Sequence, residues 1–126
     1  MRIALAAALA LALPAAAADL DALRWEARPI LVFAPSADDP RLAEQLARFE
    51  AAEAALAERR NRVIVDTEPG SALRRRFDPA EFTVILVGLD GGEKLRRDGL
   101  VAVETLTARI DAMPMRRREM RADGQG

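Results

Sequence analysis

After Pro29 the chain runs Ile30-Leu31-Val32-Phe33 without a polar side chain, which is the length of a strand and the pattern of one covered on both faces. Pro35 to Pro40 reads as a loop, with Asp39 as N-cap and Pro40 at the first helical position. From there to about Arg59, Leu42, Leu46, Phe49 and Leu56 recur at helical spacing, and Glu44 and Arg48 form an i,i+4 pair on the other face. Arg62 to Asp66 predicts a second strand. Glu68 to Pro79 is irregular, with a turn at Pro69-Gly70 and a helical turn over Ser71 to Phe77. Phe82 to Val87 is a third strand, again apolar throughout. Gly88 to Gly92 turns it into Glu93-Lys94-Leu95-Arg96, polar enough for a sheet edge. Val103, Leu106, Ile110 and Met113 mark a second helix that Pro114 stops.

The two ends read differently. Met1-Arg2 precedes an apolar run from Ile3 to Leu13, and Pro14 and four alanines lead to Asp19. That is the pattern of a secretory leader cleaved after Ala18. The apolar run is about half of the roughly 20 residues a membrane span needs, so no span is expected. Residues 19–121 then form one domain, with a helical turn or two over Leu20 to Trp25. Arg116 to Gly126 is charged and ends in glycine, and residues 122–126 read as a disordered tail. The expected location is exported and periplasmic.

Composition removes whole classes of chemistry. The chain has 126 residues with no cysteine and no histidine. Disulfides, thiol redox centres, Cys/His zinc sites and imidazole bases are therefore excluded. A formal net charge of -1 and a single tryptophan give no footprint for nucleic acid. No cofactor is implied.

The element order is strand, helix, strand, linker, strand, hairpin, strand, helix. A helix between the first two strands implies a parallel crossover, and the hairpin adds an antiparallel pair. The expected fold is α/β and thioredoxin-like: a central mixed four-stranded sheet, ordered second-first-third-fourth and flanked by helices. A ferredoxin-like fold would need a further helix where the hairpin at Asp90-Gly91 stands.

Three segments carry a resemblance. They are Arg28-Pro29-Ile30-Leu31-Val32-Phe33-Ala34-Pro35, Val87-Gly88-Leu89-Asp90-Gly91-Gly92-Glu93-Lys94-Leu95, and the string from Ile110 through Asp111-Ala112-Met113-Pro114-Met115-Arg116-Arg117 to Met120. Together they resemble the thioredoxin-like domain of unknown function called DUDES in animal secreted matrix proteins, or its bacterial exported relatives. The resemblance spans residues 20 to 121. It implies a fold related to thioredoxins and peroxiredoxins and an extracytoplasmic location, and it supplies no established reaction. Against the redox relatives, Pro35 sits where a peroxiredoxin proline would. Asp39 then falls at the threonine spacing and Leu42 at the cysteine spacing. No thiolate can form there.

The remaining candidates are polar. Ser36, Asp38 and Asp39 follow the first strand, at the edge where α/β sheets bind ligands. Two carboxylates there suit a hard cation such as calcium, or serve only as a helix cap in a solvated loop. No metal site is assigned. Asp90-Gly91-Gly92 is what a tight hairpin needs. Lys94 is the only lysine in an arginine-rich chain. The triplets Arg74-Arg75-Arg76 and Arg116-Arg117-Arg118 offer anion sites or solvated surface. Met115 beside the second triplet offers a soft contact.

Two functions follow. The first is a redox-inactive binding module of the cell envelope, with an envelope protein as partner and Met115, Arg116 and Arg117 on its contact face. The second is an enzyme or small-ligand binder using Asp38 or Asp39 with an arginine.

Overall fold

The computed structural model describes residues 12–14 and 19–124. Its elements in chain order are β1 (Ala12–Pro14), a 3-10 turn (Asp21–Leu23), β2 (Arg28–Phe33), α1 (Pro40–Ala51), α2 (Glu53–Glu58) and β3 (Asn61–Asp66). They continue with α3 (Ala72–Phe77), β4 (Thr83–Val87), β5 (Glu93–Arg97), α4 (Val103–Asp111) and α5 (Pro114–Gly124). The sheet is mixed, in the order β1-β3-β2-β4-β5. Its four main strands stand in the expected second-first-third-fourth order. β2 runs parallel to β3, with Ile30 opposite Val63, and antiparallel to β4, with Ile30 opposite Leu86. The polar β5 lies on the edge beyond β4.

The apolar strands divide their side chains between two faces, as the period of two demands. Ile30, Val32, Val63, Val84 and Leu86 pack under α1, α2 and α4 through Leu42, Phe49, Leu56, Leu106 and Ile110. Leu31, Phe33, Ile64, Ile85 and Val87 face the other way, where Leu20, Leu23, Leu73 and Phe77 cover them. Every residue of β2 and β4 is buried. One face thus has full helical cover, and the other has a 3-10 turn and one short helix.

Four details differ from the expectation. The long helix breaks at Ala52 (φ -112°, ψ 25°) into α1 and α2. No glycine or proline marks the break, so an alanine-rich sequence carries no sign of it. Gln45 shares the buried face of α1 with Leu42 and Phe49. Pro114 opens a helix as well as closing one, because its ring fits the first helical turn, where its missing N–H loses nothing. The charged segment after it is therefore helical through Gly124.

The leader read over residues 1–18 lies outside the described residues except for Ala12–Pro14, which runs parallel beside β3 with Leu13 opposite Ile64. Among the described residues no helix is long and apolar enough to cross a membrane.

Candidate functional site

The C-terminal ends of β2 and β3 are the first place to look, and their polar groups are spent on structure. Asp39 caps α1, accepting from the Arg41 backbone N–H at 2.8 Å and from the Arg41 Nε and Nη2 at 3.0 and 2.7 Å. The hydrogen bonds from that guanidinium hold the Asp39 carboxyl below its usual range despite some desolvation. A carboxylate so lowered is a poor general base near neutral pH. The Arg41 guanidinium in turn lies 5.1 Å over the Phe82 ring. Ser36 and Asp38 are exposed beside it. Among the described residues no group of acids is placed to hold a metal ion.

The first arginine triplet is a set of struts. Arg74 Nη2 donates to the carbonyls of Ala34 and Asp66 at 2.6 and 3.1 Å, tying the two parallel strand ends together. Its guanidinium also rests 5.6 Å from the Phe33 ring centre. Ser71 caps α3 through the Arg74 N–H and donates its hydroxyl to the buried Asp66 carboxylate. Arg75 donates to the Gly70 carbonyl, and Arg76 lies over Phe77 and 3.6 Å from Asp21. Replacing Asp39 by alanine is expected to lower the thermal midpoint by loosening the first turn of α1, whereas Asp38→Ala leaves it in place; far-ultraviolet circular dichroism on heating separates the two.

The opposite end of the sheet is richer. Arg28 and Arg116 are each only 1% exposed. Arg28 Nη1 and Nη2 reach the two Glu119 oxygens at 3.2 and 3.1 Å, and Nη1 also donates to the Arg59 carbonyl at 3.0 Å. Arg116 donates to Glu58 at 2.8 Å, Asp111 at 3.2 Å and Glu119 at 3.4 Å. Arg59 closes the set, with Nε and Nη2 on the two Asp111 oxygens at 3.0 and 2.9 Å. Three guanidiniums and three carboxylates thus lock α5 onto β2, α2 and α4. The Arg59 bonds foremost hold the Asp111 carboxyl below its usual range. For Glu119, burial pushes the carboxyl up, but the Arg28, Arg116 and Arg60 guanidiniums outweigh it and the net shift is down.

Beside this network lies a cleft of about 460 Å³. Arg28 forms part of its wall from the sheet. Gly88, Leu89, Asp90 and Lys94 line it from the β4–β5 turn. Arg109 and the stretch Ala112–Met115 close it from the joint between α4 and α5. The turn is built for its lysine: Asp90 accepts from the Gly92 N–H at 2.9 Å and from Lys94 Nζ at 3.0 Å. A Cβ at Gly88 would stand 2.5 Å from Lys94 Cε, so glycine there makes room for the side chain. Trp25 is 54% exposed and held at φ 70°, and its N–H donates to the Leu89 carbonyl at 2.7 Å. A positive φ at a tryptophan is strain that the neighbouring turn sustains.

The three segments quoted above for the resemblance are far apart in sequence, and the fold brings the first residue of one, Arg28, and the middle of each of the other two to this cleft. Of the contact residues expected from sequence, Met115 lines the cleft, Arg116 lies buried behind it and Arg117 is exposed. Arg116 therefore cannot be a docking side chain, because its donors are already taken inside. Ser36, Asp38 and Asp39 are at the other end of β2. Arg28 opens the first of the resembling segments but has no local mark of a site residue, and neither has Arg109; Lys94 carries a signal, as the only lysine of the chain.

A family model described as Domain of unknown function (DUF4174) matches residues 19–119. No curated protein and no solved structure matches the chain.

Proposed function

The chain belongs to the family described as Domain of unknown function (DUF4174), and from that premise we propose that it is an exported, redox-inactive, thioredoxin-like binding module of the cell envelope whose contact site is the cleft between the β4–β5 turn and the α4–α5 joint. The observation that carries this reading is that the β4–β5 turn and the α4–α5 joint, two of the resembling segments, meet at that one cleft with Arg28 of the third. Export is supported by the leader pattern of residues 1–18, and redox inactivity by the absence of cysteine. The placement of Asp39 as a paired helix cap removes the main support for an enzyme built on Asp38 or Asp39.

Site-specific photocrosslinking in intact cells tests the proposal. A photoreactive residue at Met115 is expected to capture one reproducible partner. The same residue at Arg75, on α3 at the opposite strand ends, is not expected to capture it. Arg117→Glu, which alters an exposed side chain on the same helix, is expected to weaken capture at position 115. Equal capture at both positions, or only background at 115, overturns the binding reading.

A further inference from the structure

We infer that the outer edge of β3 takes an extended apolar segment of a partner polypeptide as a parallel strand, once the leader has left it. The inference rests on the export reading above and concerns the far side of the sheet from the β4–β5 turn. The backbone pattern says which groups are on offer. Arg60 and Asp66 give their carbonyls to the N–H groups of Arg28 and Ala34, on the β2 side, at 2.8 and 3.1 Å. Residues along a strand alternate in the neighbour they serve. Arg62 and Ile64 therefore also turn to β2, whereas Val63 and Val65 turn both N–H and C=O outward. In the full chain that outward row meets Ala12–Pro14, in parallel register with Ala12 opposite Val63, Leu13 opposite Ile64 and Pro14 opposite Val65. By the same alternation Leu13 presents its N–H and C=O to Val63 and Val65, and Ala12 and Pro14 turn theirs away. The proline thus stands where a missing N–H costs no ladder bond.

Cleavage after Ala18 removes that segment and leaves the N–H and C=O of Val63 and of Val65 without partners. Among the described residues nothing else pairs with β3 on that side. Edge strands are ordinarily blunted by lysine, proline, a bulge or a covering loop. The middle of β3 is Val63-Ile64-Val65, and its register with β2 runs unbroken from Asn61 to Asp66. An open edge of this kind adds a strand, with main-chain hydrogen bonds supplying the affinity. The segment seated there in the full chain defines the occupant. It is three apolar residues long and runs parallel to β3. Two copies related by a two-fold axis would instead bring β3 against β3 antiparallel, so the matching partner is a different polypeptide.

Amide hydrogen exchange on the protein recovered from cells tests this, with its N-terminus fixed by intact mass. The mass is expected to be that of a chain beginning at Asp19. Exchange is expected to be fast at Val63 and Val65 and slow at Ile64, which keeps its bonds to β2. The probe is a synthetic peptide of residues 9–17 with a short lysine tail for solubility. At about ten times its Kd it is expected to slow Val63 and Val65 about tenfold. N-methylation of the peptide at Leu13 removes the N–H offered to Val63 and is expected to abolish that protection, whereas N-methylation at Ala12 leaves it. All these changes are in the peptide, so the folding of the protein is not at issue. Equal protection by the peptide methylated at Leu13 overturns the inference, as does no protection by any peptide. Slow exchange at Val63 and Val65 without peptide, together with a doubled mass in solution, means that the edge closes on a second copy and overturns it too. An N-terminus still at Met1 overturns this inference and the export reading together; a chain beginning at Asp19 that binds no peptide overturns this inference alone.

Discussion

Replacing Arg28 by alanine is expected to destabilise the fold by about 3–5 kcal/mol, because it removes one partner from a buried ion pair and leaves the other. Glu119 keeps only the longer contacts to Arg116 at 3.4 Å and Arg60 at 3.7 Å once the two Arg28 bonds at 3.1 and 3.2 Å are gone. The Arg59 carbonyl loses its donor in the same step. Arg28→Met with Glu119→Met removes both charges and restores much of the packed volume, so its loss is expected to be smaller than that of the single alanine variant. Urea unfolding of the three proteins gives the comparison. A single variant within about 1 kcal/mol of the parent would sink the account of the network.

Acid makes an independent reading of the same contacts. The folded carboxyls of Glu119 and Asp111 lie below their ordinary values, so their stabilisation is fully present above the unfolded range of about 3.9–4.3. It is lost as pH falls through the lowered folded values, where the network carboxylates take up protons. The loss of stability between neutral pH and the acid limb is expected to be smaller in Arg28→Ala, since Glu119 then has less to lose.

The sheet was legible because its central strands are apolar on both faces and its turns carry Pro, Gly and Asp where the backbone reverses. Four strands, their order and the edge position of Glu93–Arg97 all follow from that pattern. The cleft was not legible as a site. Its key arginine pairs with a glutamate 91 residues away, and Arg116 reaches Glu58 across 58 residues. Local patterning treats an arginine as surface, since a charged side chain is rarely buried unless paired, and the pairing is set by tertiary structure. The hint that did exist lay in unusual strings, the Lys94 turn and the Met113-Pro114-Met115 corner, whose meeting point only the fold reveals. The same limit hid Gln45, a polar residue in a helix otherwise read from its leucines.

Gln45→Leu is expected to destabilise the protein by about 2–3 kcal/mol although leucine fits the volume and suits a buried helix face. Gln45 is fully buried, and its amide makes a closed pair with one residue of the β5–α4 connection: Nε2 donates to the Val101 carbonyl at 3.0 Å, and Oε1 accepts the Val101 N–H at 2.8 Å. Val101 is itself buried. Leucine offers neither donor nor acceptor, so both backbone groups lose a partner out of reach of water. The carbonyl keeps Arg48 Nη1 at 3.3 Å. The N–H keeps nothing, and its desolvation dominates the loss. Exchange of the Val101 amide proton, slow in the parent, is expected to become fast relative to the amides of β4 in the variant, and urea unfolding gives the free energy. A leucine variant within about 0.5 kcal/mol of the parent, or an amide still protected, would mean that the connection holds without the glutamine. The consequence reaches the cleft, because Val101 lies just before α4 and α4 carries Arg109. A helix whose start is no longer stapled to α1 positions that side of the cleft less well, so Gln45→Leu is expected to weaken partner capture at Met115 as well as stability, without touching the partner.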